Sequence, residues 1–147
     1  MAIKFTDLPQ LSAPSSQDVI AIVDVSEDVS KKVSVADLVP QLPINMIQEG
    51  ELEVTTGTVR WYAPYNLVIN SIVANLGISA DDTVGATIKK NGEAQTTVTF
   101  AATTTSGTPA TQTISMSSGD YLTVDVDSVG TSVKGEDLYL QFLYSKS

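Results

Sequence analysis

From residue 46 onward the chain never sustains a helical period. Turn residues recur at roughly ten-residue intervals, and between them apolar side chains alternate with polar ones. A period of two places every second side chain on the same face of a strand. In YLTVDVDSV, Leu122, Val124 and Val126 therefore share one face, and Tyr121, Thr123, Asp125 and Asp127 the other. The closing stretch DLYLQFLYSKS repeats the pattern, with Leu138, Leu140, Phe142 and Tyr144 expected inward. An antiparallel β-sandwich over residues 46–147 follows from such patterning.

Departures from strict alternation carry information too. In ELEVTTGTVRWYAP the apolar positions are 52 and 54, then 59 and 61, so the parity changes and Gly57 becomes the bulge candidate. NLVINSIVANLGI is apolar on both faces around Leu67 to Ile69, as in a central strand or one buried by a partner subunit. At Asn91-Gly92, a two-residue turn would pair Lys90 with Glu93 and turn Val98 and Phe100 away from Val84, Ala86 and Ile88. A three-residue loop with a bulge at Gly92 pairs Lys89 with Glu93, Ile88 with Ala94 and Val84 with Val98, and is the expected register. The polar stretch 102–111 is expected to be a loop or a weakly formed edge, and mobile, and 128–137 is the other long connection.

Residues 1–45 read as a separate N-terminal module. An extended arm with prolines at 9 and 14 and isolated Phe5, Leu8 and Leu11 is suited to docking rather than to folding alone. Two β-rich runs, 19–25 and 32–35, flank the turn SEDVSK and suggest a small hairpin. Ser34 is placed to cap a short helix, VADLVPQL, limited by Pro40 and Pro43.

Composition then removes chemistries. The chain has no cysteine and no histidine, which excludes disulfides, thiolate nucleophiles, Ser-His-Asp triads and zinc sites built on these ligands. Its net charge is −9, and both the first 50 residues and the remainder are acidic, so nucleic acid and anionic membrane are not expected partners. No apolar run approaches a membrane span, and the N-terminus lacks the apolar stretch of a cleaved signal. Asp125 and Asp127, with Asp120, Glu136 and Asp137, could supply oxygen ligands for calcium. Their alternation instead suggests an exposed strand face, and no metal or cofactor is expected. Asp81-Asp82 is read as turn chemistry. Carboxylate-pair catalysis needs a substrate cleft, for which one tryptophan and few aromatics are thin material, and an enzyme is not expected. RWYAPYN holds the aromatic cluster: Trp61 is expected in the core, and Arg60, Tyr62 and Tyr65 are candidates for a subunit interface. Lys31-Lys32 is a basic pair in acidic surroundings, expected to flank a turn and open to an acidic partner surface.

The segment FTDLPQLSAPSSQDVIAIVDVSEDVSKKVSVADLV, residues 5–39, resembles the N-terminal modules of tailed-bacteriophage virion proteins. GTVRWYAP, ATIKKNG and GDYLTVDVD resemble the β-sandwich module of such proteins, and the last is also similar to trimeric jelly rolls of the complement and tumour-necrosis-factor type. The resemblance implies a jelly-roll-like sandwich in a non-enzymatic virion component, a homotrimer made in the host cytoplasm. It implies attachment to the major capsid protein through the arm, with Phe5, Leu8, Leu11, Lys31 and Lys32 as attachment candidates. No shaft-like repeat is present, so a capsid decoration (cement) protein is expected ahead of a tail fibre or a glycan-binding adhesin module.

Overall fold

The computed structural model describes residues 19–24, 29–34, 42–111 and 113–146. The chain divides into two compact units, Met1–Pro40 and Gln41–Ser147. In the first, strands β1 (Val19–Asp24) and β2 (Val29–Ser34) pair antiparallel, Val19 opposite Ser34 and Asp24 opposite Val29. Lys31 and Lys32 stand within β2, opposite Ile22 and Ala21, and not on a turn flank. Ser34 closes this strand. The arm and most of the expected short helix lie outside the described residues; its last position, Leu42, opens β3 (Leu42–Glu51).

The second unit is all-β. After β3 come β4 (Trp61–Tyr62), β5 (Leu67–Ile78), β6 (Val84–Lys90), β7 (Glu93–Phe100), β8 (Ser106–Pro109), β9 (Ile114–Met116), β10 (Tyr121–Val129) and β11 (Glu136–Lys146). Every pairing is antiparallel, in the order β3-β11-β5-β8-β7-β6-β10-β4, with β9 beside β5. Because β3 pairs with β11 from Leu42 onward, the larger unit starts a few residues ahead of the expected boundary at 45. The sheet curls around one core. Leu67, Ile69, Phe142 and Leu140 from one limb share it with Ile88, Phe100, Val98 and Leu122 from the other. Each large side chain buried this way contributes roughly 1.5–3 kcal/mol.

Leu138, Leu140, Phe142 and Tyr144 are all buried, as their alternation predicts. The two apolar faces of β5 have a different cause from the expected ones. The register against β11 slips between Leu143 and Tyr144, leaving Asn70 unpaired, so Leu67 and Ile69 before the slip and Ile72, Ala74 and Leu76 after it point to the same core. The β6–β7 hairpin corrects the expected register. Lys90 pairs with Glu93 around a two-residue turn, with Asn91 and Gly92 both at positive φ (53° and 86°), the backbone that matches strand twist. A bulge at Gln95 then restores the apolar face, setting Ala86 opposite Val98 and Val84 opposite Phe100. The polar stretch 102–111 contains β8, which pairs with both β5 and β7 and joins the two limbs. Residues 130–135 connect β10 to β11, held by Asp81, whose carboxylate accepts the Thr131 and Ser132 amides at 2.8 Å each.

Candidate functional site

Between β3 and β4 the chain runs along the edge of β10 as a strap. Thr55 exchanges backbone hydrogen bonds with Val126, and Trp61 pairs with Leu122. The strap therefore carries two more residues than the strand it follows and bows outward between these points. The parity change does mark an irregularity, but it leaves Val54 and Val59 exposed (65% and 74%) instead of turning both inward. Gly57 is no strand bulge; it is where the strap presses on β10. A Cβ at this position would lie 1.9 Å from the Val124 carbonyl oxygen. Its amide donates to Asp125 Oδ1 at 2.9 Å.

Asp125 is thus not a wet residue. It is 7% exposed, covered by the strap, and its other carboxylate oxygen pairs with Lys89 Nζ. The Lys89 hydrogen bond, and after it the Gly57 amide, hold its carboxyl below the usual range against the opposing cost of desolvation. Asp127 is exposed as expected and accepts from Thr87 Oγ1 at 2.6 Å. Asp120 accepts from Asn91 Nδ2 (2.7 Å) and the Ser117 amide (2.8 Å), and Asp137 from the Gly50 amide (2.7 Å). Each of these four carboxylates has a separate local task, and among the described residues no three acidic side chains gather as metal ligands.

The aromatic cluster divides into two groups, Arg60 and Tyr62 in one and Trp61 and Tyr65 in the other. On the outer face, Tyr62 packs against Tyr121 (5.6 Å between centroids), and the Arg60 guanidinium lies 4.5 Å from the Tyr121 ring centre and 3.5 Å from the Tyr62 hydroxyl. On the inner side, Trp61 and Tyr65 both pack against Tyr144 (6.1 and 6.4 Å). The Tyr65 and Tyr144 hydroxyls share a 3.3 Å hydrogen bond, which together with burial pushes the Tyr144 phenol up to about 12. Trp61 is half-buried against the core, close to its expected role. Arg60 and Tyr62 thus belong together, while Tyr65 is part of a different group. Tyr121 and Tyr144 are the partners that the sequence conceals, because each comes from more than 50 residues away, Tyr121 by the pairing of β10 with β4 and Tyr144 by side-chain packing from β11. Behind the strap, an open cleft of about 410 Å³ is lined by Met46, Thr55, Arg60, Trp61, Val124 and Leu140.

The two outer faces of the sheet differ in charge. On the β10–β6 side Lys89, Asp125, Asp127 and Arg60 are present. On the β3–β11–β5 side three cross-strand rows, Pro43–Leu143–Ser71, Asn45–Gln141–Val73 and Ile47–Tyr139–Asn75, contain no charged residue. Ile47, Tyr139 and Val73 there are 55%, 43% and 43% exposed. The arm residues Phe5, Leu8 and Leu11 lie outside the described residues. No protein-family model matches the chain, and no curated protein matches it.

Proposed function

We propose that this protein is a structural component of a tailed-bacteriophage particle, a decoration protein that binds the major capsid protein through its N-terminal arm and stabilises the head. It acts as a homotrimer on the capsid surface, made in the host cytoplasm, and works by binding rather than by catalysis, with no cofactor, nucleic acid or membrane partner. The observation that carries the reading is the division of the chain at Pro40: a small unit containing the virion-like segment precedes a larger unit with a buried core cluster of its own. An attachment device and a covering domain would be organised in this way.

We read the curled sheet as a jelly-roll-like sandwich. The chain passes from β3 to β4, β5 and β6 by crossing between the limbs at each step, and crosses again from β7 by way of β8 to β9, from β9 to β10 and from β10 to β11. Such winding of two Greek keys supports that architecture. A second reading, a receptor-binding module of a tail fibre that contacts a glycan, is favoured by the outward Arg60–Tyr62–Tyr121 group, since exposed Tyr and Arg concentrate binding energy.

Immunogold labelling of intact virions from the source, with antibody against residues 46–147, tests the proposal. Label over the head is expected. Label on the tail alone would replace decoration with the fibre reading, and particles without label would overturn both. Deleting residues 1–17 is expected to abolish particle binding with the β unit still folded; retained binding would refute the arm's role.

A further inference from the structure

We infer that the uncharged outer face of β3, β11 and β5 is the surface on which a second copy of this chain packs, with Ile47, Val73 and Tyr139 at its centre. The inference rests on the homotrimer reading and locates the contact. Interface cores are marked by loss of charge and gain of aromatic and large apolar residues; this face lacks charge across three successive rows and exposes Ile47, Val73 and Tyr139 within them. The chain is far from short of charge, with 17 acidic and 8 basic residues. Their absence is therefore local, and the opposite outer face carries several.

Charge also decides who the occupant is. A foreign partner can answer acidic residues with basic ones, so an acidic protein can use an acidic face to bind it. An identical copy brings the same deficit, eight basic residues against 17 acidic, and can answer far fewer of them. Two bodies of net charge −9 repel each other, and that repulsion is least where neither presents a carboxylate to the other. The three rows meet that condition, with Glu49, Glu51, Glu136 and Asp137 gathered at one end of the strands. Standard interfaces use roughly 20–30 residues a side, so these rows form the core of the contact, and outward positions such as Val68 and Ser106 extend it.

Sedimentation velocity on the full chain tests this. The wild type is expected to be an oligomer whose association is equal or stronger at about 0.5 M salt than at about 0.05 M, since salt screens the mutual repulsion and leaves an uncharged contact intact. Ile47→Glu and Tyr139→Glu are each expected to weaken self-association at least about 30-fold, with circular dichroism unchanged. Arg60→Ala with Tyr62→Ala is expected to leave it intact. A Gln141→Cys variant, labelled with a self-quenching dye at the chain's one thiol, reads the contact without a charge change, and quenching on assembly is expected. A monomeric wild type would overturn both the homotrimer and this inference. An oligomer indifferent to Ile47 and Tyr139, or showing no quenching at position 141, would keep the oligomer and overturn the face.

Discussion

At Gly57 there is room for a hydrogen and nothing larger, because the neighbour is backbone and cannot rotate away. Gly57→Ala is expected to cost about 1–3 kcal/mol as the strap is forced off β10; the midpoint of urea unfolding measures it, and an unchanged midpoint would mean that the strap is held elsewhere. Asp125 ties the same contact to pH. Its carboxyl titrates lower in the folded than in the unfolded chain, so the unfolded chain takes up its proton first. The stabilisation is then fully present above the unfolded value, about 4, and is lost as pH falls through the lower folded value. Asp81 and Asp120, held down mainly by backbone amides and by Asn91 respectively, act in the same direction. Asp125→Asn should be less stable at neutral pH and should lose less on acidification, which thermal melts between pH 2 and 7 (roughly the carboxylate range) would resolve. Parallel pH profiles for variant and wild type would remove Asp125 from the acid response.

Strand bulges govern the elements. Shifting a strand by one residue normally carries its apolar set from core to solvent. Gln95 is an exception, since it has no partner across the hairpin. Deleting Gln95 leaves Ala94 opposite Lys89 and Thr96 opposite Ile88 in an uninterrupted ladder, with Val98 and Phe100 still inward. Deleting Thr97, one pair further on, reverses the face of the adjoining part of the strand. The Gln95 deletion is expected to fold and the Thr97 deletion to fail or to lose several kcal/mol, in line with the burial of two large side chains; circular dichroism and urea melts on the pair would decide it. Equal damage from both would show that the bulge is needed for the twist of the sheet.

For the whole molecule, residues 41–147 contain the sheet and the buried core cluster, so this fragment is expected to fold without the N-terminal unit and to melt in one cooperative transition. Coincident unfolding curves by fluorescence of Trp61, the chain's one tryptophan, and by far-ultraviolet circular dichroism would establish it. A fragment that stays unfolded would mean that the first 40 residues complete the core. The all-β class and the inward residues of β11 are legible in the sequence because they need only period-two alternation, a property of each strand by itself. The hairpin register is half legible. The need to gather Val84, Ala86, Val98 and Phe100 on one face is correctly read, and the device is misplaced, since a bulge within β7 and a longer turn have the same effect on parity. The candidate site is less legible still: RWYAPYN marks where aromatics begin, but not that Tyr121 and Tyr144 complete two separate groups.

By itself the sequence determined an acidic, cysteine-free and histidine-free β-protein whose later strands have fixed inner and outer faces. It could not determine what covers those faces. Asp125 alternates as a solvent residue should, and is buried because a glycine from 68 positions away and a lysine from 36 positions away close over it. Alternation is set between chain neighbours, whereas covering, pairing and bulge position are set by whichever strand the tertiary fold lays alongside. That is why the inward rows could be read from the chain alone and the strap, the Asp125–Lys89 pair and the uncharged outer face could not.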